Sequence, residues 1–268
     1  MKLRFAKMHG LGNDFMIVDL VTQRGRPSAA QIRSWGDRRT GVGFDQLLLA
    51  LPPSDPTADF QLSIFNADGS QAEQCGNGLR CFARFLVDEK LTVKRELAID
   101  TAGGRVETTL LDNTHVTVNM GVPKRLDADG ESLSVDLDGE SVVITPVSIG
   151  NPHAVVFVDN VGQADVEGIG GALQQHERFP ERVNVGFLQV VDRQFGRLRV
   201  YERGVGETPA CGSGACAAMV AARLHDRFDE RAKISLPGGK LRVEWQGPGA
   251  PATLSGPTEL VYTGRIEL

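Results

Sequence analysis

Long apolar runs are missing from these 268 residues, and so are runs of basic residues. No stretch approaches the roughly 20 apolar residues that a transmembrane helix needs. Between Met1 and Phe15 the apolar residues are broken by Lys2, Arg4, Lys7 and His9, so the unbroken core of a secretory signal is absent. A net charge of −5 without basic clusters offers no electrostatic footing for nucleic acid. Cysteine is scarce: the chain has 4, too few for a disulfide scaffold, and their C-x5-C and C-x4-C spacings match neither a zinc ribbon nor a thioredoxin-like motif. There is no G-x-S-x-G, no H-E-x-x-H, no Walker A loop and no complete dinucleotide fingerprint. These absences point to a cytoplasmic globular protein for which no metal, cofactor, membrane or nucleic-acid partner is expected.

What the chain does have is one short motif used twice. Cys75-Gly76-Asn77-Gly78 and Cys211-Gly212-Ser213-Gly214 each open a nearly all-apolar helix. The positive end of a helix dipole stabilises a thiolate, lowering a thiol pKa from about 8.5 toward roughly 3.5–7.5 in favourable cases. Glycine removes the Cβ that would block approach, so the free N–H groups at two helix starts are able to bind one carboxylate. A Gly-rich turn with no function is the plain alternative for either motif alone. Cys81 and Cys216 lie inside the helices among apolar neighbours and read as inert core residues.

The repetition extends beyond the cysteines. Gly12-Asn13 before Phe15 to Asp19 resembles Gly150-Asn151 before Val155 to Asp159, an offset of 138; Phe65-Asn66 precedes Cys75 as Tyr201-Glu202 precedes Cys211, an offset of 136. Gly41 to Phe44 with Gln46 resembles Asn184 to Phe187 with Gln189, an offset of 143. Two pseudo-symmetric domains are therefore expected, residues 1–121 and 122–259, with the strand near 260–268 a candidate to complete the first. Alternating segments such as Phe60 to Ile64, Val116 to Val118 and Leu198 to Val200 predict half-buried strands. On the first cysteine helix, Arg80, Arg84 and Asp88 form a polar stripe; Ala215 to Ala222 has no strongly polar residue and should be buried all round. Weaker helices are expected over residues 29–35 and 172–177, and the boundary loop around Gly121 to Asp129.

Polar residues gather at strand ends. Asn66 and Glu202-Arg203 follow apolar strands shortly before a cysteine, and Asn13, Asn151 and Asn184 sit at Gly-containing turns. Each alone reads as a turn residue or a solvated strand end. Together they supply the amides, acid and guanidinium that a zwitterionic amino acid requires. His153, at a strand start, is ordinarily structural, yet beside a cysteine its charge would tune a thiolate, as would that of Glu202.

These residues carry a family resemblance. Lys7 to Phe15, Gly41 to Gln46, Phe65 to Ser70, Glu73 to Gly78, Gly150 to His153, Glu202 to Gly204 and Ala210 to Gly214 together resemble the diaminopimelate epimerase family along nearly the whole chain. The resemblance implies an α+β fold of two similar domains, each a mostly antiparallel, barrel-like sheet around a central helix, with the site in the interdomain cleft. It implies a cofactor-independent interconversion of LL- and meso-diaminopimelate in lysine and peptidoglycan precursor synthesis, with Cys75 and Cys211 as the acid/base pair. It assigns substrate contacts to Asn13, Gln46, Asn66, Gly76, Asn77, Asn151, Asn184, Glu202, Arg203, Gly212 and Ser213, and pKa tuning to His153 and Glu202. Tyr262 resembles a dimer contact, so a homodimer is expected. The alternatives are a racemase of another amino or imino acid and a non-catalytic ligand-binding protein of the same fold.

Overall fold

A computed structural model describes residues 1–73, 75–126, 132–137 and 139–268. Gln74, in the family-like stretch from Glu73 to Gly78, and the part of the expected boundary loop from residue 127 onward lie outside the described residues. The chain divides into two compact units, Met1–Val118 with Gly256–Leu268, and Asn119–Ser255.

In the first unit, β1 (Lys2–Gly10) and β2 (Asn13–Asp19) form an antiparallel hairpin. Its two-residue turn holds Leu11 at φ 57° and Gly12 at φ 86°, the left-handed pair that matches the natural strand twist. That turn places Asn13 at the head of β2. Helix α1 (Ala29–Gly36), with a Ser28–Gln31 capping box, makes the crossover to β3 (Gln46–Leu51), which lies parallel to β2. Antiparallel to β3 runs β4 (Phe60–Asn66), followed by the short β5 (Gln71–Ala72). Helix α2 (Gly76–Asp88) crosses over to β6 (Glu96–Thr101), parallel to β4, and β7 (Gly104–Leu110) and β8 (His115–Asn119) follow as antiparallel neighbours.

The second unit repeats this plan. After β9 (Lys124–Arg125) and β10 (Leu133–Leu137), β11 (Glu140–Ser148) pairs antiparallel with β12 (Pro152–Phe157) across the Ile149-Gly150-Asn151 turn. Helix α3 (Val166–Gln175) leads to β13 (Asn184–Asp192), parallel to β12; β14 (Phe195–Glu202) and β15 (Gly206–Thr208) return antiparallel. Helix α4 (Gly212–Leu224) crosses to β16 (Arg231–Leu236), parallel to β14, with β17 (Gly239–Glu244) and β18 (Thr253–Pro257) beyond it. The last strand, β19 (Glu259–Glu267), lies antiparallel to β1 in the first unit, from Lys2 opposite Glu267 to His9 opposite Glu259.

Each unit is thus a mixed sheet enclosing one cysteine helix, the α+β arrangement anticipated. Helix α4 is buried from Gly214 to Ala222 without a break and packs on β11 to β14 and β17; its run of Ala, Cys, Met and Val lets the strands close tightly around it. Helix α2 packs on β1, β2, β3 and β7.

Three expectations need correction. Arg80 does not join an outward polar stripe: it is 0% exposed, and its Nη1 donates to the Gly76 carbonyl at 3.4 Å. Arg84 keeps a surface ion pair with Asp88 at 3.0 Å while donating to the Thr258 carbonyl, tying α2 to the returning chain. The match of Gln46 with Gln189 is out of register. Gln46 faces Phe15 on one side and Asn66 on the other, whereas Asn184 faces His153 and accepts a bond from the residue after Glu202. Gln46 and Asn184 are therefore equivalent, with the same offset of 138 as Asn13 and Asn151. Lastly, α3 begins at Val166 and ends at Gln175 rather than spanning 172–177.

Candidate active site

Each unit assembles its own polar constellation around the start of its enclosed helix. In the first, Cys75 is the N-cap of α2: its backbone is extended (φ −150°, ψ 107°) and its sulfur accepts the Gly78 N–H at 3.4 Å. The side-chain carbonyl of Asn13 faces this sulfur at 3.7 Å and accepts from Asn77 Nδ2 at 3.3 Å. At the neighbouring strand ends, Gln46 Nε2 donates to Asn66 Oδ1 at 3.0 Å and Asn66 Nδ2 to Ser70 Oγ at 3.0 Å. Strand pairing makes this possible, because β2 and β3 start, and β4 ends, on one side of the sheet. Asn13, Gln46, Asn66, Cys75, Gly76 and Asn77 are therefore brought together as a neutral, amide-rich surface around a half-buried thiol.

In the second unit, Cys211 is the N-cap of α4 and is buried. Its sulfur lies 3.7 Å from Ser213 Oγ, and the Glu202 carboxylate accepts a hydrogen bond from its thiol. The Cys211 side chain makes no capping bond at α4, although the Gly214 N–H favours the thiolate. Gly214 packs closely here: a Cβ would stand 3.0 Å from Val200 Cγ2 and 3.2 Å from the Cys211 sulfur. Asn184 links the remaining pieces, donating to the Pro152 carbonyl at 3.1 Å and accepting the Arg203 N–H at 2.9 Å. His153 Nε2 lies 3.0 Å from Asn151 Oδ1, and Arg203 Nη1 donates to the Glu181 carbonyl at 3.2 Å.

The electrostatics of this half depart from the sequence reading. Burial, and then the negative charge of Glu202, push the Cys211 thiol well above its ordinary range, outweighing the opposite pull of the helix start. Burial raises Glu202 as well, against the bonds it accepts from Thr208 and Cys211. Burial, helped by Arg203, brings His153 down to about 3, so the imidazole is neutral and has no charge with which to tune a thiolate. Cys81, fully buried in α2, is raised to about 12, as its reading as an inert core residue requires.

Several supporting residues carried no sequence signal. Gln174, buried on α3, donates to the Glu202 carbonyl at 2.9 Å and accepts the Gly204 N–H at 3.4 Å, fixing the turn that bears Arg203. Thr208 on β15 donates to the Glu202 carboxylate. Asp45 accepts from Asn13 Nδ2 at 2.8 Å; only its place two residues after Gly43, in a family-like motif, hinted at it. Among the described residues no cluster of three or more His, Cys, Asp or Glu could hold a metal ion, and no helix is long and apolar enough to cross a membrane.

A duplicated two-unit α+β fold of this kind occurs in solved structures of a hydroxyproline epimerase from Agrobacterium vitis and a phenazine biosynthesis protein from Bacillus anthracis. The first has a TM-score of 0.72 and 18% identity, covering 100% of this chain and 93% of that one; the second has 0.74 and 17%, covering 100% of both. At those identities the likeness is one of fold. The sequence carries the assignment further, since the diaminopimelate epimerase family model matches residues 5–126 and 145–265. Diaminopimelate epimerases from Stutzerimonas stutzeri and Pseudomonas aeruginosa are 52% and 51% identical to this chain, with 100% of each chain covered. The chain belongs to the diaminopimelate epimerase family, a family of isomerases.

Proposed function

We propose that the protein interconverts LL- and meso-diaminopimelate without a cofactor, using Cys75 and Cys211 on opposite faces of one α-carbon. The observation that carries this reading is that each unit caps its enclosed helix with a cysteine. One thiolate takes the α-proton, breaking the C–H bond, and the other thiol gives its proton to the opposite face, so the carbon inverts and the roles of the sulfurs exchange. Without an electron sink the carbanion-like charge must be met by fixed dipoles, which the N–H groups of Gly76, Asn77, Gly212 and Ser213 at the helix starts supply. Burial and Glu202 favour the protonated thiol of Cys211 in the free enzyme. Asn13, Gln46, Asn66, Asn151, Asn184, Glu202 and Arg203 hold the substrate, the amides and the guanidinium meeting carboxylates and Glu202 an ammonium. Neutral His153 acts through hydrogen bonding rather than charge.

The relatives support lysine and peptidoglycan precursor synthesis as the setting, and a reducing cytoplasm keeps both thiols usable. Leu260, Val261 and Tyr262 on β19 are 45%, 54% and 43% exposed, an apolar row that supports a homodimer contact. Incubation of LL-diaminopimelate with the enzyme in D2O, followed by proton NMR, tests the activity. Loss of the α-proton signal with appearance of the meso isomer is expected; retention of both signal and configuration refutes it, and turnover of proline but not diaminopimelate favours the racemase alternative.

A further inference from the structure

The orientation of the Asn13 amide is not free. A carboxylate can only accept hydrogen bonds, and Asp45 Oδ2 holds Asn13 Nδ2 at 2.8 Å. The other end of the amide, its carbonyl, is therefore the end that faces Cys75 at 3.7 Å. Asn77 Nδ2 donates to the same oxygen at 3.3 Å, which agrees with that orientation. Asp45 is itself held from several sides: Oδ2 accepts the Asp14 N–H at 3.1 Å and Oδ1 accepts Arg38 Nη2 at 2.6 Å. Arg38 makes two 2.9 Å bonds to Asp14, and Lys7, buried beneath, reaches Asp14 at 2.6 Å and the Gly43 carbonyl. Beyond Asn13, this chain of contacts leads from Cys75 to the charged groups Asp45, Asp14, Arg38 and Lys7.

A carbonyl beside a thiol stabilises the protonated form, whereas the Gly78 N–H at 3.4 Å stabilises the thiolate. A proton carrier that works in both directions needs both forms within reach. We propose that Asp45 is a positioning residue: it locks the Asn13 carbonyl toward Cys75 and so sets the thiol–thiolate balance of that cysteine. Its catalytic meaning rests on the two-thiol reading, while its geometry lies wholly within the first unit.

The test is the pH profile of iodoacetamide alkylation at Cys75 in the full-length protein. Trypsin isolates this residue on the peptide from Thr40 to Arg80, free of the other cysteines. Asp45→Ala frees the amide to turn its NH2 toward sulfur. Asp45→Asn removes the same charge but still offers an oxygen to Asn13, its own NH2 turning to the solvent-exposed side where Asp45 met Arg38, which keeps its two bonds to Asp14. Asp45→Ala is expected to lower the alkylation midpoint by about one pH unit, a roughly tenfold rise in thiolate at a fixed lower pH, with Asp45→Asn within a few tenths of wild type. Asn13→Ala should lower the midpoint by itself and abolish any further effect of Asp45→Ala. Equal shifts in both Asp45 variants would mark a through-space charge effect and overturn the proposal, as would a shift that persists in the Asn13→Ala background. If Asp45→Ala does not fold by circular dichroism, Asn13→Ala decides: an unchanged midpoint there overturns the proposal. Because alkylation needs no substrate, failure of the wild-type enzyme to epimerise diaminopimelate would sink the activity and leave this result standing.

Discussion

His153→Gln should make the protein less sensitive to acid, by an amount the burial of the imidazole sets. In the folded chain His153 has a pKa of about 3, against the ordinary value of 6.5 that it regains on unfolding. Its neutral form therefore contributes stability that is fully present above pH 6.5 and is lost as pH falls toward 3, because only the unfolded chain takes up the proton in that window. At pH 4.5, two pH units below the unfolded value, linkage makes this loss about 2.7 kcal/mol, a factor of roughly 100 in the folding equilibrium. Glutamine keeps an amide to meet Asn151 but cannot titrate. The variant will lose some stability at pH 7.5 through imperfect packing, so the diagnostic quantity is a difference of differences. Urea unfolding of both proteins at pH 7.5 and pH 4.5, followed by circular dichroism, measures it. On acidification the wild type should lose about 2.7 kcal/mol more than the variant. Equal losses would mean that the imidazole charges without unfolding the protein, and the assignment of a neutral, buried His153 would be wrong.

Cys75→Ala and Cys211→Ala should each nearly abolish epimerisation while the fold persists; full activity in either, by the D2O assay, removes the two-thiol mechanism. Glu202→Gln removes the charge that adds to burial in raising the Cys211 thiol, so Cys211 alkylation, read by peptide mass spectrometry, should move to lower pH. An unmoved profile would dissociate the two residues. Tyr262→Asp places a charge in the apolar row on β19 and should shift the proposed homodimer to monomer in gel filtration; a dimer that persists locates the contact elsewhere, and a monomeric wild type refutes the homodimer.

The duplicated plan was legible because strand ends, Gly-containing turns and cysteine helices recur in order, and hydrophobic pattern alone marks such segments. Register was less so. Phe44 and Phe187 lie in similar Gly-Phe settings, and that likeness in composition drew Gln46 to Gln189, whereas hydrogen bonding pairs Gln46 with Asn66 and sets it equivalent to Asn184. Helix α3 was misjudged because Gly168, Gly170 and Gly171 weaken its propensity; Asp165 starts it by capping the Gly168 N–H at 2.9 Å, and a Cβ on Gly170 would meet the Tyr201 ring and Cβ at 2.7 Å. Arg80 looked solvent-facing since charge defaults to the surface, and only the enclosing sheet shows it inside. Of the candidate site, the cysteines and amides were readable from motif and position. The direction of the Cys211 and His153 shifts was not, because burial outweighs the helix start and no motif encodes burial.

The pairing of β19 with β1 has a consequence for synthesis. Lys2 finds its partner in Glu267, and the Leu268 N–H donates to the Met1 carbonyl. The unit that holds Cys75 cannot close its sheet on the ribosome until its final strand emerges, though nearly half the chain was ready long before. The unit that holds Cys211 is one continuous segment, Asn119–Ser255, free to fold as soon as it leaves the tunnel. The N-terminal part, first to be made, is thus the last to be finished, and β1 must wait with an open edge exposed to the wrong partners.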